Sequence, residues 1–149
     1  MITEDRITTS VEETEALGAT VASQAIPGVV VALHGELGSG KTTFMHGVAK
    51  QLGITGRVIS PTFVIMRSYV INSREVQEVD RLYHLDLYRL SSEKEIEEVG
   101  VLDLIKDPKN LVFIEWAEKM GTLLPEKRID ISFEYVDDKK RKINIIKYG

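Results

Sequence analysis

The densest chemistry in the chain lies in Gly35-Glu-Leu-Gly-Ser-Gly40-Lys41-Thr42, which fits the pattern G-x-x-x-x-G-K-[ST]. That spacing suits a phosphate chain. Glycines let the backbone wrap closely, with no Cβ in the way. The inward N–H groups form an anion nest, and a following helix adds the positive end of its dipole. In such a loop Lys41 reaches the β- and γ-phosphates, the Thr42 hydroxyl ligates Mg²⁺, and Thr43 touches the α-phosphate. The expected nucleotide-binding set is therefore Gly35, Glu36, Leu37, Gly38, Ser39, Gly40, Lys41, Thr42 and Thr43. A glycine-rich turn can match the pattern by chance. Here the match follows an apolar strand-length run, Val29 to Leu33, and opens a helical segment, which is the context the motif demands.

Phosphate chemistry also needs acids for the metal and the attacking water. Glu115 closes the apolar run Leu111-Val-Phe-Ile114, at the carboxyl end of a strand, where the sites of open parallel sheets lie. Asp86 stands in Tyr83-His-Leu-Asp-Leu-Tyr-Arg89, where strand period puts His84, Asp86 and Tyr88 on one face. A carboxylate among apolar residues is seldom left without a partner, and Mg²⁺ or its water shell would serve. Read without a metal, each is a satisfied core carboxylate. The expected metal ligands are Thr42, Asp86 and Glu115, and the expected catalytic residues are Lys41, Asp86 and Glu115. His84 is read as a neighbour supporting Asp86, His34 as structural, and His46 as a surface residue. Arg89 is read as contacting phosphate or pairing with an acid. Lys139-Lys-Arg-Lys142 reads as a solvated hairpin tip.

The elements that must hold these residues follow from pattern and punctuation. Ser10-Val-Glu-Glu13 has the form of a capping box before a helix over about residues 11–25, with Val11, Leu17, Val21 and Ala25 as its buried stripe. The run at 29–33, apolar throughout, reads as a central strand of a covered parallel sheet. A helix over 41–52 ends at Gly53. Val58-Ile59 reads as a short strand. Residues 63–71 and 76–87 read as an antiparallel hairpin turning at Asn72-Ser-Arg-Glu75. Ser92-Glu-Lys-Glu95 opens an acidic helix closed by Gly100, and a short helix at about 101–106 precedes the strand at 111–114. Ile129, Ile131, Phe133 and Tyr135 alternate with polar residues, giving a second hairpin with 142–148 and one face in water. The expected fold class is α/β: a single P-loop NTPase-type domain over 1–149, its mixed sheet having parallel core strands, antiparallel hairpins and helices on both faces.

Composition narrows the function. At 149 residues, 43% hydrophobic and 28% charged, the chain is neither disordered nor fibrous in composition. Cysteine is absent, which excludes disulfides, thiolate metal sites and cysteine nucleophiles and suits a cytoplasmic location. No apolar run approaches the roughly 20 residues of a membrane span, and the N-terminus does not have the form of a secretory signal. The net charge of −4 is a poor match for gripping nucleic-acid phosphates unaided.

Gly35 to Phe44, Ser60-Pro-Thr-Phe63, His84 to Leu90 and Ile114-Glu-Trp116 occur in that order. This ordered set resembles the bacterial tRNA threonylcarbamoyladenosine biosynthesis ATPase family, TsaE (the YjeE family), over nearly the whole chain. The resemblance implies a small cytoplasmic ATPase using ATP and Mg²⁺. It also implies a supporting role, with a TsaD–TsaB heterodimer, in threonylcarbamoylation of adenosine 37 of tRNA. Contact with tRNA would be indirect or through the complex, with no membrane involved and a monomer when alone. Asp86 and Glu115 match the family's acids. Ser60 to Phe63 match a switch-like loop in which Thr62, the fourth expected catalytic residue, senses the γ-phosphate. His46 and Ala117 depart from the residues expected there, Arg and Pro. The basic run 139–142 has a direct tRNA contact as its sharper reading, and Thr9 to Val11 is the candidate adenine contact. The main alternative is a small-molecule kinase using the same loop. A GTP switch is disfavoured because Asn110 and Asn144 are followed by Leu and Ile, so neither starts an N-K-x-D motif. A scaffold that only binds nucleotide would be told apart by its lack of hydrolysis.

Overall fold

A computed structural model describes residues 1–24, 27–54, 66–72 and 78–149. In chain order the elements are β1 (Ile2–Thr8), α1 (Val11–Ser23), β2 (Val30–His34), α2 (Lys41–Gln51), β3 (Met66–Val70), β4 (Arg81–Asp86), α3 (Glu93–Val99), α4 (Val101–Lys106), β5 (Asn110–Glu115), a 3₁₀ helix (Ala117–Leu123), β6 (Arg128–Tyr135) and β7 (Arg141–Tyr148). Among the described residues the strands form one sheet in the order β1-β7-β6-β2-β5-β4-β3. The inner strands β6, β2, β5 and β4 run parallel, β3 and β7 flank them antiparallel, and β1 pairs antiparallel with β7. The expected α/β class with a mixed sheet is thus what forms.

The apolar runs explain the centre. Both faces of β2 and β5 are covered, so the strands are hydrophobic from Val30 to Leu33 and from Leu111 to Ile114. On one face Val31, Leu33, Leu111, Phe113, Ile129 and Ile131 pack with Phe44 and Val48 of α2 and Val21 of α1. On the other, Val30, Ala32, Val112 and Ile114 pack with Ile96 of α3, Val101 of α4 and Met120 of the 3₁₀ helix. Helices cover both faces, as expected.

Helix α1 is capped as its sequence requires. Ser10 Oγ accepts from Glu13 N at 3.1 Å, while the Glu13 carboxylate accepts from Thr9 N, one residue before the cap. Its buried stripe differs from the one expected. Val11 is exposed and Leu17 only partly buried, and the inner face runs through Thr14, Gly18, Val21 and Ala22. The reason is a close helix crossing. A Cβ on Gly18 would collide with the Phe44 carbonyl, and one on Gly47 with the Glu15 carbonyl. Glycine lets the two backbones meet there, and the stripe rotates towards that contact.

Strand β1 escaped the sequence reading because it carries no alternation: Ile2 and Ile7 are both exposed, and only Thr8 is buried. The second hairpin forms with its inner face apolar, Ile131 lying opposite Ile145 and Phe133 opposite Ile143. Strand β4 starts at Arg81 rather than 76 and ends at Asp86. Ala25, the strand at Val58-Ile59, most of the Asn72–Glu75 turn and the Ser60–Phe63 loop with Thr62 lie outside the described residues. Among the described residues no helix is long and apolar enough to cross a membrane.

Gly47→Ala tests the crossing. Alanine favours a helix interior by about 1 kcal/mol, but overpacking against a backbone carbonyl costs about 1–3 kcal/mol. A lower urea midpoint is expected, and a raised one would show that the helices do not meet at Gly47.

Candidate functional site

The glycine loop joins β2 to α2, as its context in the sequence predicts. Two of its glycines are needed for shape. Gly40, the residue before α2, has φ 108°, a region that side-chain-bearing residues avoid. At Gly35 a Cβ would stand 2.7 Å from Ser39 Oγ and 2.8 Å from the Phe133 carbonyl oxygen. The first turn of α2 receives no side-chain cap from Gly40, so its N–H groups are left to the loop's own concavity.

Parallel pairing brings the acids to this loop. Asp86 and Glu115 are the last residues of β4 and β5 and lie opposite each other in register, with Leu33 of β2 on the far side of Glu115. Both carboxylates are buried. Glu115 is bound at both oxygens: Oε2 accepts from His84 Nε2 at 2.8 Å, and Oε1 lies 3.4 Å from Lys41 Nζ. Lys41 Nζ also donates to the Gly35 carbonyl at 2.5 Å. Among the described residues Asp86 has one hydrogen-bond partner, the Tyr88 N–H at 2.9 Å on Oδ1.

The two acids are tuned apart. Burial pushes the Asp86 carboxyl above the ordinary range. The Tyr88 N–H opposes this, the neighbouring Glu115 charge adds to it, and Lys41 and His84 offset it only in part. Burial acts on Glu115 as well, but the His84 hydrogen bond and the charges of His84 and Lys41 outweigh it and hold that carboxyl below its ordinary value. His84 therefore hydrogen-bonds Glu115 and acts on Asp86 only through its charge, where the strand-face expectation made Asp86 its partner. The partner sits on the adjacent strand, a pairing that periodicity within one strand does not reveal.

A cleft of about 560 Å³ opens here, lined by Leu37, Gly38, Gly40, Lys41, Thr42, Thr43, Asp86, Tyr88, Glu115, Trp116 and Arg141. A second cavity, of about 380 Å³, shares Gly40, Thr43 and Arg141 with it and reaches Thr9, Ser10, Val11 and Thr14. The loop, its threonines and both acids are thus brought together, and Thr9 to Val11 adjoins them. The donor set suits Mg²⁺, which takes one or two carboxylates with phosphates and water: Thr42 and the two acids face one cleft, and Asp86 Oδ2 has no hydrogen-bond partner among the described residues. Among the described residues no cluster of three or more His, Asp or Glu side chains forms a separate metal site.

Trp116 is not a core residue. It is 36% exposed, adopts left-handed backbone at φ 60°, and its ring centroid lies 5.1 Å from that of Tyr88. Lys119 Nζ fastens this ledge by donating to the Tyr88 and Leu90 carbonyls. His34 faces Glu118 at 3.2 Å and Asp130 at 3.8 Å. His46 and Arg89 are exposed. Arg141 in the cleft was missed. It was read as part of a solvated basic run, whereas its alternation with Ile143 and Ile145 puts it on the inner face.

Asp86→Asn keeps an oxygen for the Tyr88 N–H and removes a buried charge. The folded pKa of Asp86 lies above the unfolded one. Its cost to stability is therefore complete above the folded value and disappears as pH falls below the unfolded one. The variant is expected to unfold at higher urea than the parent at neutral pH, with the gain shrinking on acidification. A less stable variant at neutral pH would show the carboxylate to be favourably paired.

Comparison with known proteins places these features in a wider setting. A family model described as TsaE, threonylcarbamoyl adenosine biosynthesis protein, matches residues 8–143. The tRNA threonylcarbamoyladenosine biosynthesis protein TsaE of Bacillus subtilis is 39% identical over 142 residues, covering 95% of this chain and 84% of that one. The protein of the same description from Rickettsia bellii is 36% identical over 146 residues, covering 97% and 96%. The crystal structure of YdiB from Bacillus subtilis superposes with a TM-score of 0.77 at 32% identity, covering 99% of this chain and 87% of that one.

Proposed function

Since the chain belongs to the TsaE family and so has its place in tRNA threonylcarbamoyladenosine biosynthesis, we propose that it binds and slowly hydrolyses Mg-ATP in support of a TsaD–TsaB complex. The observation that carries this reading is the Lys41–Glu115–His84 chain, set against Asp86 at the mouth of the glycine loop.

The backbone from Gly35 to Gly40 cradles the phosphates, and Lys41 brings its charge to the β- and γ-phosphates. Thr42, Asp86 and Glu115 would hold Mg²⁺, which would supply charge neutralisation at the phosphate oxygens. Glu115, kept ionised and fixed by His84, orients the water that attacks the γ-phosphorus as the bond to the β–γ bridging oxygen breaks, giving ADP and phosphate. Thr62 enters as the γ-phosphate sensor through the resemblance of its loop. The nucleoside half lies in the cavity beside Thr9 to Val11. The protein acts in the cytoplasm, is monomeric alone, and meets tRNA through the complex.

Phosphate release tests this. The isolated protein is expected to hydrolyse ATP weakly and to respond when TsaD, TsaB and tRNA are added. Lys41→Ala should weaken Mg-ATP binding about 30–150-fold, the scale of a charged contact worth about 2–3 kcal/mol. Glu115→Gln should lose hydrolysis more than binding. Vigorous phosphorylation of a metabolite, indifferent to those partners, would favour a kinase instead.

Trp116, the sole tryptophan, gives a second readout. Its ring borders the cleft, one residue after Glu115, so its emission should change on adding Mg-ATP, differ between ATP and ADP, and stay flat in Lys41→Ala. A flat response in the parent, at nucleotide concentrations that calorimetry shows to be saturating, would separate Glu115 from the metal.

A further inference from the structure

We propose that Lys119 is a positioning residue for the phosphate chemistry: its ammonium holds the main chain of Tyr88 and, through it, the carboxylate of Asp86. The inference rests on the role given to Asp86 above and adds to it a residue from outside the cleft lining.

At the ends of β4 and β5, Leu87 N donates to the Glu115 carbonyl at 3.1 Å. Beyond that bond, among the described residues, no backbone hydrogen bond joins the two segments that follow the acids. Lys119, in the 3₁₀ helix, spans the gap with its side chain. Nζ donates to the Tyr88 carbonyl at 2.5 Å and to the Leu90 carbonyl at 3.0 Å. It lies 5.4 Å from the centroid of the Tyr88 ring and 5.9 Å from that of Trp116. Among the described residues it forms no ion pair, although a lysine head ordinarily stays in water or meets a carboxylate. The ammonium is a compact charge with several donors. Here two of them meet oxygens of one tight turn, which Leu90 N closes on the Leu87 carbonyl at 3.0 Å.

Tyr88 is the link to the chemistry. Its N–H donates to Asp86 Oδ1 at 2.9 Å and its carbonyl accepts from Lys119, so one residue carries both contacts. The turn cannot swing away from the 3₁₀ helix without losing a charge-assisted hydrogen bond, among the stronger kind, and the N–H on Asp86 moves with the turn. Asp86 thus keeps one oxygen on the main chain and leaves Oδ2 without a partner among the described residues. A second tie between the same segments, from Glu93 Oε1 to the Thr122 N–H at 2.9 Å and hydroxyl at 3.1 Å, lies further along both chains. Lys119 is the tie beside the acids.

Amide hydrogen exchange in the full-length protein, free of metal and nucleotide, tests the proposal together with phosphate release. In Lys119→Met the Tyr88 amide is expected to exchange about 10–100-fold faster, the scale of one charge-assisted hydrogen bond, while amides inside β5 keep the parent's rates. The kcat should fall about 10–100-fold, as when the support of a metal-holding group is removed. Calorimetric Mg-ATP affinity should change far less, because the loop and Lys41 are untouched. Lys119→Arg, which keeps the charge and can reach two carbonyls, should recover part of both losses. Parent-like exchange at Tyr88 in Lys119→Met would overturn the proposal. Exchange quickened evenly along the chain would overturn it too, leaving Lys119 a contributor to stability alone. So would fast Tyr88 exchange with the parent's kcat, which would leave Lys119 a brace for the two rings. If the parent itself releases no phosphate from ATP, the functional reading fails, and the exchange result by itself decides whether Lys119 orients Asp86.

Discussion

Glu115 is a carboxylate buried at the end of a central strand, and most of the site follows from the need to satisfy it. An unpaired charge in that position costs several kcal/mol. Its two oxygens are met by different elements, His84 from β4 and Lys41 from α2. That ties the sheet register to the conformation of the glycine loop: slide β4 by one residue and His84 faces away, move α2 and the ammonium leaves. Asp86, directly opposite in register, accepts a backbone N–H, that of Tyr88, and is tuned the other way. Two acids a strand apart thus come to differ in proton affinity, the usual way in which one site separates two roles.

The position of α2 depends in turn on a contact with no side chain in it. Gly18 and Gly47 let α1 and α2 approach to backbone distance, which seats Phe44 and Val48 on the sheet and fixes the start of α2 over the strand ends. The nucleotide loop is therefore braced by packing on the side of the helix away from its own chemistry.

How much of this the sequence discloses depends on whether the signal is local. The β2–loop–α2 unit is legible because an apolar strand, a fixed glycine spacing and a helix lie within one short stretch. Asp86 and Glu115 are legible because a lone acid closing or interrupting an apolar run is conspicuous. The partner of His84 is not legible, since it comes from pairing between strands distant in the chain. The stripe of α1 was misplaced because glycine carries no hydrophobic signal, though the helix packs through it. The outward position of Trp116 is not legible, since residue type favours the core and it is the left-handed turn at the strand end that throws the ring outward. Arg141 was legible from the alternation of β7, but the cluster of like charges around it drew attention to the hairpin tip.

Strand β1 lies at one margin of the sheet, where its outer row of amides and carbonyls has no neighbouring strand among the described residues. Such a margin invites further chains to add on. Here Glu4, Asp5 and Arg6 occupy the middle of the strand between the exposed Ile2 and Ile7, with Glu4 and Arg6 paired at 2.9 Å. The defence against sheet-to-sheet growth is thus one of charge rather than shape. Protonating the acids or raising the salt weakens that defence while leaving the isoleucines and the open row in place. Storage in acid or high salt is then the condition under which this fold is most exposed to aggregation, through an edge on the far side of the sheet from β4 and Asp86.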